Sequence, residues 1–475
     1  MHAAGRRIGS AGLLAVALTT LALNGCVLKS PPDAAELKQQ ALPTMQVPPA
    51  WRTVAAGGAP AAAGWLASFK DEQLTAAVME ALQHNADLRT GAARVEQAQL
   101  YAKQAGARLW PSVDALARGG GKMSGDNSGL QGGVLTVAWE LDVWGRVRYG
   151  RAAAAAEASA AELDFEFARQ SLAASVARNW FIATEAQLQV EVARSTIRDG
   201  ESLVKLAEDR ARVGVGNDEE IFVARGSVAS SQENLRGIEL GREQAIRALE
   251  ILLGRYPAGL LTTTPLPTQP DAVPGGLPSE LLERRPDIVA AERRVAAAFN
   301  RIGEAKAARL PSITLTTGVS AISSELFVLK ERNNPIWNAG GTLLAPLFRG
   351  GALKTQVEIR TAEQKEAVAA YAAAGLRAFA DVENALSTEL AAREREQLLA
   401  RSLEDNRRAL QVVQNQFKVG STDLRFVTQR QLALNSVESA LIRMRTEQRV
   451  QRVNLHLALG GGFEAPPPSP APAQP

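Results

Sequence analysis

One joint, a helical pattern that runs into a proline and then into a strand, occurs twice in this chain and constrains every reading of it. From Glu283 the residues read ERRPDIVAAERRVAAAFNRIGEAKAARLPSITLTTGVS. About two hundred positions earlier, NADLRTGAARVEQAQLYAKQAGARLWPSVDALARGG has the same grammar. Asp87-Leu88 matches Asp287-Ile288, Arg94-Val95 matches Arg294-Val295, and Ala105 matches Ala305. Arg108-Leu109 then matches Arg309-Leu310, each closed by Pro-Ser at Pro111 and Pro311, with Trp110 as the extra residue of the first copy. Self-similarity of this kind marks an internal two-fold repeat. A chain built this way must use the same helix-to-strand joint twice.

Around each joint the order of elements is the same. A helical pattern from Asp71 to Pro111 carries Leu74, Val78, Ala81, Asn85, Leu88, Ala92, Val95, Gln99 and Ala102 at alternating spacings of four and three, a heptad seam with two polar layers. Strands are expected at about 112–121 and 130–143, where Leu135, Val137, Trp139 and Leu141 alternate with Thr136, Ala138, Glu140 and Asp142. Gly150 to Val213 contains no proline; at ~1.5 Å per residue it makes a helix of about 95 Å, one that needs coiled-coil partners. A turn at 213–218 and a shorter helix from Glu219 to Leu253 follow. The second half repeats this order. A helix from Ser279 to Leu310 leads to strands at about 312–322 and 337–348, then a long helix from Ala352 to Val419, a turn at 420–423, and a helix to Leu459 whose seam is Val427, Leu434, Val437, Leu441, Met444 and Leu455.

These patterns divide the chain into six parts. Residues 1–25 form a lipoprotein signal peptide, 26–64 a lipid-anchored extended arm, 65–256 the first repeat, 257–278 a proline-rich linker, 279–460 the second repeat, and 461–475 a disordered tail. Arg6-Arg7 and the apolar run Ile8–Leu23 have the layout of a signal peptide, too short for a comfortable helical span. The run ends in Leu23-Asn24-Gly25-Cys26, which resembles the bacterial lipobox and implies lipid on the Cys26 sulfur and amine. Val27 in place of Asp is, by resemblance to bacterial lipoproteins, a signal for outer-membrane delivery.

Composition excludes several functions. Cys26 is the one cysteine, so no disulfide framework forms within the chain. Three histidines, His2 in the leader and His84 and His456 alone in helical contexts, leave almost no material for metal or histidine chemistry. No nucleophile, base or metal set converges, so the expected catalytic and metal residues are none, and the only cofactor is covalent lipid. Net charge is +3 and the arginines alternate with glutamates, without the aromatic-flanked basic patch that nucleic acid requires.

Membrane physics turns the architecture into a function. Strands of about ten residues, tilted, cross a bilayer's apolar core. Four strands cannot close a barrel in one chain, and an open sheet edge in lipid is forbidden. Several copies must pool their strands, which yields an oligomeric conduit. A coiled-coil structural or adhesin lipoprotein without a pore is the alternative; it explains the helices and the anchor but not two strand pairs.

The segments LLERRPDI (281–288), ARLPS (308–312), APLFRGG (345–351), QFKVGSTDLRFVTQRQLAL (416–434) and RVNLHLALGGGF (452–463) resemble the TolC-like outer-membrane factor family, in its lipidated NodT-type subgroup. The resemblance implies a mainly α fold with transmembrane β: a long coiled-coil α-barrel, plus four strands per chain contributed to a trimeric twelve-stranded β-barrel. It implies a homotrimer in the cell outer membrane with a long periplasmic extension. It also implies a periplasmic adaptor, an inner-membrane pump of resistance-nodulation-division type, and passive exit of small toxic solutes such as drugs or metals. By the same resemblance the two turns form the periplasmic gate. Candidate gate residues are Asp423, Asp218 and Arg425, and ionised Asp423 copies around one axis are expected to raise one another's pKa. Asp218 and Asp423 equally suit helix N-caps. The adaptor-docking candidates are Val215, Gly216, Val419 and Gly420, although glycine at a helix end needs no such role. Trp139, Trp144, Trp337 and Phe348, near strand ends, suit an aromatic girdle.

Overall fold

The computed structural model describes residues 28–52, 64–118, 131–270, 278–323 and 336–463. Cys26, the signal peptide, the glycine-rich turn 119–130 and the tail from 464 lie outside the described residues. The fold is mainly helical, with four strands among the described residues. In chain order the elements are α1 (Ala34–Ala41), α2 (Trp65–Ser68), α3 (Glu72–His84), α4 (Ala86–Ala107), β1 (Ser112–Arg118) and β2 (Gln131–Leu141). There follow α5 (Arg146–Arg212), α6 (Asp218–Leu252), a 3-10 turn (Pro278–Glu280), α7 (Leu281–Arg284) and α8 (Pro286–Ala307). The chain finishes with β3 (Ser312–Ser323), β4 (Ile336–Leu344), α9 (Ala352–Lys418) and α10 (Leu424–Ala458). Corresponding helices of the two halves have equal lengths: 22 residues for α4 and α8, 67 for α5 and α9, and 35 for α6 and α10.

Two compact units divide the molecule, and each takes residues from both halves. The first holds the described residues within Met1–Met45, Ala93–Leu163 and Val289–Ala374, and so the whole sheet. Its strands pair antiparallel in the order β1-β2-β3-β4. The joint between β2 and α5 is locked by side chains. Asp142 accepts from the Val147 and Arg148 amides at 2.8 and 2.9 Å, which satisfies donors that the start of α5 leaves open. The Tyr149 ring lies flat on Gly303, where a Cβ would stand 2.6 Å from ring carbons; only glycine fits. The Tyr149 hydroxyl also accepts from the Lys29 amide at 2.9 Å and so holds the start of the described arm.

The second unit, Gln46–Ala92, Asp164–Ile288 and Gly375–Pro475 in its described parts, contains the main apolar core. Trp65, Phe69, Leu74 and Val78 pack there against Val176, Phe181, Leu249 and Val453. The small residues Ala173, Ala174 and Ala177 let α5 approach its neighbours closely. Charged side chains hold the proline-rich linker. Glu250 accepts the Gly259, Leu260 and Leu261 amides, while Arg449 and Arg452 donate to the carbonyls of Pro267 and Pro270.

The structure corrects several boundaries. The pattern from Asp71 to Pro111 is two helices, not one. Asn85 is extended (ψ 127°), its side chain accepts the Leu88 amide and donates to the Leu252 carbonyl, and it is a joint and not a core layer. Likewise 279–310 breaks at Arg285 (ψ 122°), because the ring of Pro286 forces the preceding residue out of the helical region. The arm is not merely extended. Asp33 caps α1, Leu37 is buried, and Trp51 packs on Phe379 with ring centroids 6.2 Å apart. Finally, β4 stops at Leu344, ahead of Pro346.

Candidate functional site

Cross-strand register decides what the sheet can do. Residues paired across antiparallel strands share a face. One face carries the rows Val113–Val137–Thr317–Ala339, Leu135–Val319–Trp337 and Leu141–Ile313–Leu343. The other carries Asp114–Thr136–Gly318–Asn338, Ala138–Thr316–Gly340 and Glu140–Thr314–Thr342. The sheet is therefore apolar on one side and hydroxyl-rich on the other. Val113, Leu135, Trp139, Leu315, Trp337 and Leu343 are exposed on the apolar face, and Leu116, Ile336 and Leu344 are exposed on the other, towards the strand ends. Every residue of β4 is exposed. With the strand order β1-β2-β3-β4, the outer edges of β1 and β4 have no pairing partner among the described residues. In water the exposed apolar face needs a covering, and in lipid the two open edges need pairing partners.

The aromatic candidates divide. Trp139 and Trp144 donate their indole N–H groups to the carbonyls of Leu109 (3.0 Å) and Pro311 (2.7 Å), the residues just ahead of β1 and β3. Trp337 lies on the apolar face and is exposed, and Phe348 lies beyond β4 and is also exposed. Beside the first pair, Arg146 holds Glu140 at 3.0 and 2.5 Å, a lock between strand and helix that patterning alone does not reveal.

The two helix turns lie together in the second unit. Ala207, Ala224, Leu410, Phe417, Leu424 and Val427 form a common apolar cluster. Across it Arg210 donates to the Phe417 carbonyl at 3.0 Å, and its guanidinium lies 4.5 Å from the Phe417 ring centre. The glycines have distinct roles. Gly214 (φ 75°) and Gly420 (φ 77°) supply the left-handed conformation that ends each helix. Gly216 instead permits a close approach: a Cβ there would stand 3.0 Å from the Ala211 nitrogen. Asn217, not Asp218, caps α6, by accepting the Glu220 amide at 2.9 Å. Asp423 does cap α10, accepting the Arg425 amide at 2.9 Å and the Arg425 guanidinium at 2.9 and 3.1 Å. Within the chain, the Arg425 side chain and then its amide hold the Asp423 carboxyl below the usual carboxylate range. Val215 and Val419 are exposed beside these turns, as are Phe222 and Phe426 six residues after Gly216 and Gly420, a pair that the sequence reading missed.

Sequence patterning also missed buried charge. Arg285 of the ERRPD motif is 5% exposed and holds Asp287 at 2.9 Å and Asp381 at 3.1 Å. Arg452 is fully buried against Glu389. Among the described residues no group of three or more His, Cys, Asp or Glu side chains could hold a metal, and no helix is long and apolar enough to cross a membrane.

An amphipathic four-stranded sheet with open edges, carried on helices of 67 residues, defines a membrane-channel class of architecture. Residues 77–255 and 277–461 match the model of the outer membrane efflux protein family, and the chain belongs to that family. It is 32% identical over 453 residues to the pyoverdine export outer membrane protein OpmQ of Pseudomonas putida, covering 90% of this chain and 95% of the relative. It is 29% identical over 457 residues to the cation efflux system protein CusC of Escherichia coli K12, covering 93% and 97%. The open-state MtrE outer membrane channel of Neisseria gonorrhoeae superposes with a TM-score of 0.79 at 26% identity, covering 92% of this chain and 98% of that one. The chain is thus an outer-membrane efflux channel component and not an enzyme.

Proposed function

We propose that three copies of this chain close one twelve-stranded barrel through their β1 and β4 edges, and that the long helices continue the barrel as a periplasmic tunnel. The observation that carries this reading is the sheet itself, apolar on one face and hydroxyl-rich on the other, with both edges open. Four strands of alternating direction let every seam between copies pair antiparallel, as closure requires. The equal helix lengths of the two halves support an ancestral duplication. The duct is passive and serves as the outer part of a tripartite system with a periplasmic adaptor and an inner-membrane pump. Relatives named for pyoverdine and cation export support small solutes as cargo, the pump selecting among them.

Within this reading Cys26 carries the lipid anchor. The lock formed by Asp423 and Arg425, with Asp218 at the other turn, belongs to the periplasmic gate, and Val215, Gly216, Val419 and Gly420 belong to the adaptor-docking surface. In planar bilayers the purified protein is expected to give discrete conductance steps and to run as a trimer in mild detergent. A monomer that conducts nothing would refute the duct.

A further inference from the structure

At the foot of the sheet, in the first unit, a cleft of about 170 Å³ opens between the end of α4, the start of α5 and the last turns of α8. Three arginines line it, Arg108, Arg146 and Arg151, together with Tyr101, Gln104 and Glu304. Backbone geometry makes room for these side chains. Arg151 crosses α4 at Gly106, its Nε 3.6 Å from where a Cβ would sit, and the Glu304 carboxylate lies 3.1 Å from the corresponding point on Gly150. A Cβ at Gly150 would press on the Glu304 carboxylate, whereas one at Gly106 would meet Arg151 in ordinary contact.

The charges do not balance within the cleft. Arg146 is held by Glu140, which approaches from the sheet. Arg108 and Arg151 make no ion pair among the described residues, and Glu304 is the single carboxylate in the lining. The lining is thus rich in donors and poor in acceptors. Guanidinium groups match phosphate oxygens in a planar, paired geometry that ammonium groups do not reproduce. We propose that Arg108, Arg146 and Arg151 form a binding cleft for a phosphate group. Its place favours a phosphate near a membrane boundary: Arg108 stands four residues before β1, and Arg146 five residues after the end of β2. The same chemistry is offered by an anionic phospholipid headgroup and by a free phosphate, and the cleft fits either.

Two arms separate these sources, both using the full-length chain. In the first, the protein in neutral detergent is titrated with inorganic phosphate against chloride at equal ionic strength, with binding followed by calorimetry. In the second, it is placed in nanodiscs of phosphatidylcholine in a buffer without inorganic phosphate, with and without phosphatidylglycerol, with thermal unfolding as the readout. Saturable phosphate binding that R108Q/R151Q weakens at least about tenfold supports the cleft with a free phosphate as ligand. Stabilisation by phosphatidylglycerol alone, lost in R108Q/R151Q, supports it with a lipid headgroup. E304Q removes the competing carboxylate and is expected to tighten binding by about two- to five-fold. No response in either arm, a response unchanged in R108Q/R151Q, or an unchanged affinity in E304Q would overturn the proposal. Because E304Q leaves all three arginines in place, it decides the matter even where the double variant folds poorly.

Discussion

His456 provides a quantitative test of the packing in the second unit. Its ring is 5% exposed and stacks on Trp65, with centroids 5.8 Å apart and planes 18° from parallel. Its Nδ1 has no hydrogen-bond partner among the described residues. Burial first, and the Arg452 charge second, bring its pKa from 6.5 down to about 4. The folded protein therefore keeps this ring neutral at a pH where the unfolded chain protonates it. Between about pH 6.5 and 4 the unfolded state binds the extra proton, so stability is fully present above that window and falls as pH drops through it. One pKa unit corresponds to about 1.4 kcal/mol, so this single group costs the folded state about 2 kcal/mol at pH 5 and about 3 kcal/mol across the whole window. H456F keeps the stack on Trp65 and removes the titration. Far-UV circular dichroism melts of both proteins in detergent, at matched scan rates from pH 7.5 to 4, isolate the effect as the difference between them. The parent is expected to lose ground to H456F steadily below pH 6.5. A difference that stays constant with pH would refute the neutral, buried assignment.

Two other substitutions probe charge elsewhere. R452M strands buried Glu389 with only Arg393 at 3.7 Å and releases the Pro270 carbonyl, so a loss of about 3–5 kcal/mol is expected. R452M/E389L should recover most of that loss in thermal melts. At the second turn, D423A removes the cap of α10, at a cost of about 1 kcal/mol, whereas D423N retains a capping side chain. If the Asp423 charge acts in the gate, both variants raise conductance and weaken divalent-cation block in single-channel recordings. An effect confined to D423A would assign the residue to capping alone.

Parts of this architecture are legible in the residues because their periods are short and local. Ile313, Leu315, Thr317 and Val319 alternate with Ser312, Thr314, Thr316 and Ser320, and the same alternation puts them on opposite faces of β3. Pro111 and Pro311 mark each joint because proline cannot continue the helix. Asn85 is harder to read. A one-residue break barely disturbs the phase of the apolar positions on either side, so heptad spacing runs through it unnoticed. Pro286 carried its own signal, yet the strong pattern around it obscured the break at Arg285.

The buried charges are illegible for another reason. Arg452 and Glu389 are 63 positions apart and each sits among other charged residues, so each looks like part of a solvated helix face. Only the packing of α10 against α9 removes them from water. The first helix turn shows the same limit: Asn217 caps its helix where Asp218 was the expected residue, because the turn geometry places the start of α6 one residue earlier.

The central claim is that the open edges of one chain pair with those of another. Cys26 is the only native cysteine, so engineered pairs report with little background. Single cysteines introduced between Ser112 and Ala117 on β1 would be combined with single cysteines between Ile336 and Leu344 on β4, and the protein oxidised in its native outer membrane. Closure by three copies predicts that one register of pairs yields covalent dimers and trimers on denaturing gels. Chains that remain single across every register, in protein shown to be inserted and oxidised, would contradict it.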